Sequence, residues 1–164
     1  MKPAGSRQSL PTHNPAALGD LELPAPTPGA RDLLVRVKAI SVNPVDTKVR
    51  RNPAPEAGQA KVLGWDAVGT VEAVGPAVTQ FRPGDRVYYA GSIIRPGANS
   101  ELHAVDERIA ALAPASHGDP QAAALPLTTI TAYELLFDRL RVPRDGGAGQ
   151  TLLIVGGAGG VGSI

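Results

Sequence analysis

A continuous apolar run leads directly into a glycine-rich segment near the end of the chain. Residues 151–155 read TLLIV, a pattern typical of a strand buried on both faces of a parallel sheet. Residues 157–162 read GAGGVG, which has the spacing G-x-G-x-x-G. Glycines at this spacing allow a tight turn and a close backbone approach to a pyrophosphate, and the helix that follows offers unpaired N–H groups to the phosphates. The segment predicts the start of a dinucleotide-binding domain, with a flexible glycine loop as the alternative.

The residues predicted to contact a dinucleotide are Gly157, Gly159, Gly160, Val161 and Gly162. From Thr151 to Ile164 the chain provides 14 residues, whereas a complete second domain needs on the order of 100. We therefore expect this chain to be the front part of a longer protein, with the next helix and the ribose-reading residue beyond Ile164. The choice between NADP and NAD stays open for the same reason.

The sequence before residue 118 is divided into short segments by glycine and proline, of which the chain has 19 and 16. Apolar and polar residues alternate over residues 33–40, 65–74 and 86–89, and two shorter strands are predicted at 100–105 and 108–112. Gly69 interrupts the second of these strands, which indicates a bulge or a close backbone approach. Residues 50–60 are predicted to form a loop. Strands of this length and spacing favour a small β-barrel or sandwich over residues 1–118.

The composition changes near residue 118, where helical signals replace the strands. Asp119 followed by Pro120 predicts a helix start with an acidic N-cap. Pro126 opens a longer predicted helix that ends at Arg141. Its apolar stripe consists of Ile130, Tyr133, Phe137 and Leu140. Residues 119–164 therefore read as connecting helices, then the first strand and glycine loop of the dinucleotide-binding domain.

Charge and cysteine content exclude several classes of function. The chain has 16 Lys and Arg against 15 Asp and Glu, so the electrostatic reason to propose nucleic acid or an acidic membrane is absent. It has no cysteine, and its three histidines stand at no metal-ligand spacing, which predicts that no zinc is bound. We find no apolar run of 18 residues and no signal peptide, and expect a cytoplasmic protein.

Several short motifs together resemble the medium-chain dehydrogenase/reductase superfamily, from about Leu33 to Ile164. They are SVNPVD at 41–46, LGWDAVG at 63–69, VG at 74–75, RPGDRV at 82–87, LTTITAY at 127–133 and the glycine motif. The similarity is greatest to the zinc-free quinone oxidoreductase branch and to proteins called zinc-type alcohol dehydrogenase-like. It implies a mixed fold: a GroES-like β-barrel domain followed by the start of a truncated α/β Rossmann domain.

The resemblance also implies an activity. Zinc alcohol dehydrogenases have a cysteine at the start of the segment matching 43–46 and a histidine where this chain has Trp65, so the zinc ligands are missing here. The family implies hydride transfer from NADPH, with NADH as the alternative, to a quinone or an α,β-unsaturated carbonyl. We expect this chain alone to be inactive and the longer protein to be a homodimer. The other interpretations are a zinc-dependent alcohol dehydrogenase and a non-catalytic cofactor-binding or structural protein.

Residue roles follow from the same resemblance. Asn43 and Asp46 match the segment facing the nicotinamide end of the cleft, and Trp65 matches a wall of the substrate pocket, so these three are the candidate catalytic residues. Thr131 matches a threonine under the nicotinamide, and Asp66 is expected to support the site by hydrogen bonding. The alternatives are a turn in which Asp46 binds local backbone, a Thr131 that simply occupies a helix face, and a Trp65 in the core.

Overall fold

The structure is a computed structural model that describes residues 1–52, 55–56 and 58–164. Two antiparallel sheets form its β-domain, with orders β2-β1-β4 and β7-β3-β5-β6-β8. The strands are β1 (Ala4–Ser6), β2 (Gly19–Asp20), β3 (Asp32–Ser41), β4 (Lys61–Val62), β5 (Asp66–Val74), β6 (Arg86–Ala90), β7 (Leu102–Asp106) and β8 (Ala110–Leu112). The five predicted strands over 33–112 are thus confirmed, with ends shifted by one or two residues. This β-domain agrees with the predicted barrel class.

The larger sheet buries apolar side chains on both of its faces. One face carries the main core, which consists of Leu33, Val35, Ala67, Val71, Val87, Tyr89, Ala98 and Val105. On the other face, Val68 of β5 packs against Ala122 and Ala123 of a short helix. Because β5 lies in the middle of the sheet and is covered from both sides, residues at its start are inaccessible to water.

A β-bulge in β3 lies opposite Gly69 of β5. Val37 pairs with Gly69 and Ala39 with Val68, so Lys38 has no partner in the ladder between β3 and β5. A Cβ atom at Gly69 would overlap the carbonyl oxygen of Arg36. The predicted close backbone approach at Gly69 is therefore confirmed.

Helix α1 (Pro44–Arg51) follows β3, where the sequence predicted only a turn. Asn43 is its N-cap, Pro44 occupies the first turn, and Asp46 accepts a hydrogen bond from the Asn43 N–H. Basic residues in its last turn complement the negative end of the helix dipole. The predicted loop at 50–60 was wrong for its first two residues, which are helical, and residues 53, 54 and 57 lie outside the described part of the chain.

Helices α2 (Asp119–Ala123) and α3 (Pro126–Tyr133) follow the β-domain. The N-cap of α2 is Gly118, so the prediction of Asp119 as N-cap was wrong by one residue. After α3 the chain widens into a π-helical turn, Glu134–Arg139. The predicted apolar stripe lies on this helical segment, but Ile130, Tyr133 and Leu140 are exposed.

The prediction of a buried strand at 151–155 was wrong for this chain. These residues form no strand, and Leu153 and Val155 are 84% and 90% exposed. A parallel strand is buried only when neighbouring strands satisfy its backbone and helices cover its faces. Among the described residues, no strand pairs with this segment. None of the helices in the described residues has the length and apolar character that a membrane span requires.

Candidate functional site

Asn43 lies between β3 and α1, half-buried, with its side chain directed at Asp66. Its Nδ2 atom donates to Asp66 Oδ2 at 2.8 Å, and its backbone N–H donates to Asp46 Oδ2 at 2.7 Å. The second hydrogen on Nδ2 has no acceptor among the residues that the structure describes. Asn43 is thus an oriented amide with one donor hydrogen free for a ligand.

Asp46 is buried and binds only backbone groups among the described residues. In addition to the Asn43 N–H, its carboxylate accepts the N–H of Gly64 at 3.0 Å. Gly64 has a φ of +96°, and a Cβ atom there would overlap Asn99 Oδ1, so only glycine fits. Asp46 therefore ties the first turn of α1 to the chain entering β5. This geometry agrees with the alternative in which Asp46 binds local backbone, and it suits a positioning role.

Asp66, the first residue of β5, is fully buried between the β-domain and α3. Besides Asn43 Nδ2, it accepts the backbone N–H of Leu127 at 2.9 Å through Oδ1. Leu127 lies in the first turn of α3, where backbone N–H groups lack intrahelical partners. Burial raises the pKa of Asp66 to about 6; its two hydrogen bonds oppose the shift and the charge of Asp46 adds to it.

Trp65 is 2% exposed and hydrogen-bonds outside this cluster. Its indole Nε1 donates to the carbonyl oxygen of Ser92 at 3.0 Å. The residue also contributes to a cavity of about 280 Å³ together with Val49, Ile93 and Ile94. Both interpretations of Trp65, core residue and pocket wall, thus have a structural counterpart.

Thr131 lies within α3, and the glycine loop contacts the first turn of the same helix. The Thr131 hydroxyl donates to the carbonyl oxygen of Leu127 at 2.7 Å, as a helix-face threonine does. The loop folds tightly, since a Cβ atom at Gly162 would stand 2.6 Å from Gly157 Cα, and Gly160 lies against Thr128. The backbone at Gly159 and Gly160 is exposed. An exposed glycine turn beside a helix start fits the approach of a pyrophosphate.

The histidines do not form a metal centre. In the described part of the chain, no group of three or more His, Cys, Asp or Glu side chains is placed to hold a metal ion. His103 is buried, stacks on Tyr89, and bonds to the Tyr89 hydroxyl and the Pro96 carbonyl oxygen, both at 3.0 Å. His13 and His117 are exposed.

Sequence reasoning from the residues found the glycine loop, and the resemblance supplied Asn43, Asp46, Trp65 and Thr131. The structure brings Asn43 and Asp46 together. It also places Gly160 of the glycine loop against Thr128, the residue that follows Leu127. It leaves Trp65 outside this cluster. Asp66 supports the site by hydrogen bonding to Asn43, as the resemblance implied, but its contact with Leu127 was missed, because no local signal connects residues 61 positions apart.

A family model and the similar proteins indicate the same family for this chain. Residues 29–116 match the family described as the alcohol dehydrogenase GroES-like domain. A zinc-type alcohol dehydrogenase-like protein of Staphylococcus aureus is 52% identical over 141 residues, which cover 85% of this chain and 42% of that protein.

Two crystal structures extend the comparison. One, from Rhizobium etli and described as a zinc-dependent alcohol dehydrogenase protein, is 58% identical with a TM-score of 0.92 and covers 100% of this chain and 48% of its own. The quinone oxidoreductase of Escherichia coli complexed with NADPH is 33% identical with a TM-score of 0.70, over 83% of this chain and 40% of its own. This chain spans about half the length of these proteins.

Proposed function

Because the chain belongs to the medium-chain dehydrogenase/reductase superfamily, with an alcohol dehydrogenase GroES-like domain at residues 29–116, we propose that it forms the substrate half of an NADPH-dependent oxidoreductase. The acceptor is a quinone or an α,β-unsaturated carbonyl. The observation that carries this proposal is the Asn43 amide, which is oriented by Asp66 and keeps one donor hydrogen free. The E. coli relative is a quinone oxidoreductase complexed with NADPH, which supports the same class.

In this proposal Asn43 binds the oxygen of the acceptor. When bound, NADPH supplies the hydride. Negative charge then develops on the acceptor oxygen, and a preoriented N–H donor stabilises it more than water does. Asp46 holds the loop through the Asn43 N–H, so the amide does not have to reorganise during the reaction.

The exposed backbone at Gly159 and Gly160 would receive the pyrophosphate of the cofactor, and NADH is the alternative cofactor. Thr131 lies one helical turn from Leu127 and is the residue we propose for contact with the nicotinamide. Trp65 would form one wall of the substrate pocket through the cavity it shares with Ile93 and Ile94.

We propose that no zinc takes part. Zinc sites in proteins use Cys, His and carboxylate ligands, and this chain has no cysteine and an indole at position 65. Hydrogen bonding from Asn43 then replaces a Lewis acid. The second candidate function is a zinc-dependent alcohol dehydrogenase, which is favoured by the descriptions of the S. aureus and R. etli relatives. A non-catalytic cofactor-binding role is the third.

A chimera tests these alternatives. Residues 1–164 replace the part of the R. etli relative that this chain matches, 48% of that protein, and the rest of the relative is kept. We expect the chimera to oxidise NADPH in the presence of a quinone or an enone, to contain far less than one equivalent of zinc, and to lose at least about tenfold in kcat/KM on Asn43→Ala, or about 1.4 kcal/mol.

The chain alone serves as the negative control and should show no turnover. Replacement of Asn14, which caps a turn outside the candidate site, by Ala is the matched control and should leave turnover unchanged. A chimera that binds NADPH but reduces no acceptor would favour the non-catalytic role. Stoichiometric zinc together with alcohol oxidation would favour the zinc enzyme.

A further inference from the structure

The Asp66 carboxylate joins three parts of the fold that are distant in sequence. Its own backbone belongs to β5, Asn43 precedes α1, and Leu127 belongs to the first turn of α3. Each carboxylate oxygen accepts one N–H hydrogen bond, at 2.8 Å and 2.9 Å. The carboxylate is therefore the contact through which α3, the helix beside the glycine loop, is bound to the candidate catalytic amide.

Protonation of Asp66 would make its two oxygens unequal as hydrogen-bond acceptors. One proton is taken up from water, the carboxylate loses its charge, and one of its two oxygens becomes an O–H donor. The oxygen that carries the hydrogen is then a weaker acceptor, so the N–H hydrogen bond to that oxygen is weakened. The Leu127 N–H is fixed in the backbone, whereas the Asn43 side-chain amide can rotate by about 180° and present its Oδ1 acceptor to the new O–H. Protonation at Oδ2 with rotation of Asn43 is thus the arrangement that gives each carboxyl oxygen a strong hydrogen bond.

We propose that Asp66 is a proton-controlled positioning residue, which when ionised presents the Asn43 NH2 group to the substrate and when protonated turns that amide over. The inference rests on the proposed function for the role of Asn43. After protonation and rotation, the Asn43 NH2 group no longer donates to the position where negative charge develops on the oxygen of the quinone or enone. The same carboxyl group keeps its bond to α3 in both states.

The charges around Asp66 allow this change near neutral pH. Its sheet partners, Ser41 of β3 and Ala90 of β6, carry no charge. The carboxylate of Asp46 in α1 lies nearby and disfavours a second negative charge. From α3, the backbone N–H of Leu127 donates to Asp66. Because burial and Asp46 both favour the neutral form, the pKa of Asp66 lies near 6 rather than near 4.

Nuclear magnetic resonance of this 164-residue chain tests the proposal without cofactor or substrate. Between pH 5 and 7.5 we expect the Asp66 carboxyl carbon and the Asn43 side-chain amide to shift together, with one midpoint close to pH 6. The side-chain amide of the exposed Asn52 is the internal control and should not follow this midpoint. In Asp66→Asn the Asn43 shift should disappear, and in Glu107→Gln, which alters another buried carboxyl group, it should remain.

An Asp66 carboxyl group with a midpoint near pH 4 would overturn the proposal. An Asn43 amide that does not follow the Asp66 titration in the wild-type chain would also overturn it, and this measurement stands even if Asp66→Asn does not fold. The outcome is separate from that of the proposed function. A chimera without activity leaves the coupled titration intact, and an active chimera does not create it.

Discussion

Buried polar side chains in this protein are bound largely to backbone groups. Glu107 is fully buried and accepts the N–H groups of Thr79 and Gln80, at 2.9 Å and 3.0 Å, in addition to Arg31. His103 shows the same principle in a neutral group. Its Nε2 must donate, because the Pro96 carbonyl oxygen can only accept, and its Nδ1 therefore accepts from the Tyr89 hydroxyl. Burial lowers the pKa of His103 more than its carbonyl contact raises it.

Replacement of His103 by Gln should weaken the dependence of stability on acid. The folded chain holds His103 neutral, whereas the unfolded chain takes up a proton below about pH 6.5. Its contribution to the free energy of unfolding is therefore present above that pH and is lost as the pH falls, by at most about 1.4 kcal/mol per pH unit. The difference between wild type and His103→Gln, from urea unfolding at pH 7, 6 and 5, should show this slope.

Because the pKa of Asp66 is raised in the folded chain, Asp66 increases the free energy of unfolding as the pH falls from 7 to 5. Asp66 is present in both the wild type and His103→Gln, so its contribution cancels in the difference between them. His13→Gln, at an exposed position, is the matched control and should unfold like the wild type at each pH. Parallel curves for wild type and His103→Gln would contradict the assignment of a neutral buried histidine.

Individual elements depend on local backbone features that a side chain would disturb. β3 pairs with β7 over residues 32–36 and with β5 along most of its length, where the extra residue Lys38 forms a bulge. Gly69 accommodates that bulge from the opposite strand, since its lack of a Cβ atom leaves room for the Arg36 carbonyl oxygen. The pairing of the two central strands thus depends on one glycine.

Gly69→Ala should lower the free energy of unfolding by about 1–3 kcal/mol, the usual cost of forcing extra atoms into a packed site. For a chain of this size that corresponds to a fall in Tm of roughly 2–12 °C, measured by circular dichroism. Gly19→Ala is the matched control, because Gly19 is also a strand glycine but nothing lies within 4 Å of the added Cβ atom. Equal melting temperatures for the two variants would show that the contact at Gly69 is relieved at no cost.

At the scale of the whole molecule, the helical segment and residues 152–155 together present an apolar surface. A cavity of about 320 Å³ there is lined by apolar residues of the helical segment and by residues 152–155. The relatives are about twice as long as this chain. Exposed contiguous apolar surface favours association of the chain with itself.

Leu153→Asp combined with Val155→Asp should reduce concentration-dependent association of this chain, because it places two charges on the apolar segment. Sedimentation velocity at increasing protein concentration measures the effect. Ile94→Asp is the control, since Ile94 is also 90% exposed but lies on the β-domain. If all three proteins associate to the same degree, this segment does not cause the association.

Elements with local signals can be read from the sequence. Alternation over 33–40 and 86–89 specifies which face of each strand is buried, because side chains of a strand alternate whatever it pairs with. Alternation over 65–74 predicts the strand but not its burial, since the first residues of β5 are buried on both faces. The tight glycine turn at 157–162 follows from the lack of Cβ atoms. Asn43, Pro44 and Asp46 are an equally local signal of a helix start. The prediction of a turn at this place did not use that signal.

Other features depend on contacts between distant parts of the chain. Residues 151–155 have a strand sequence but no neighbouring strand, and burial of a strand depends on what packs beside it. Leu127 lies close to Asp66 because α2 packs on β5, which brings the first turn of α3 to the start of that strand. The sequence around a buried carboxyl group does not indicate which distant N–H will donate to it, and so the hydrogen bond from Leu127 to Asp66 is known only from the folded chain.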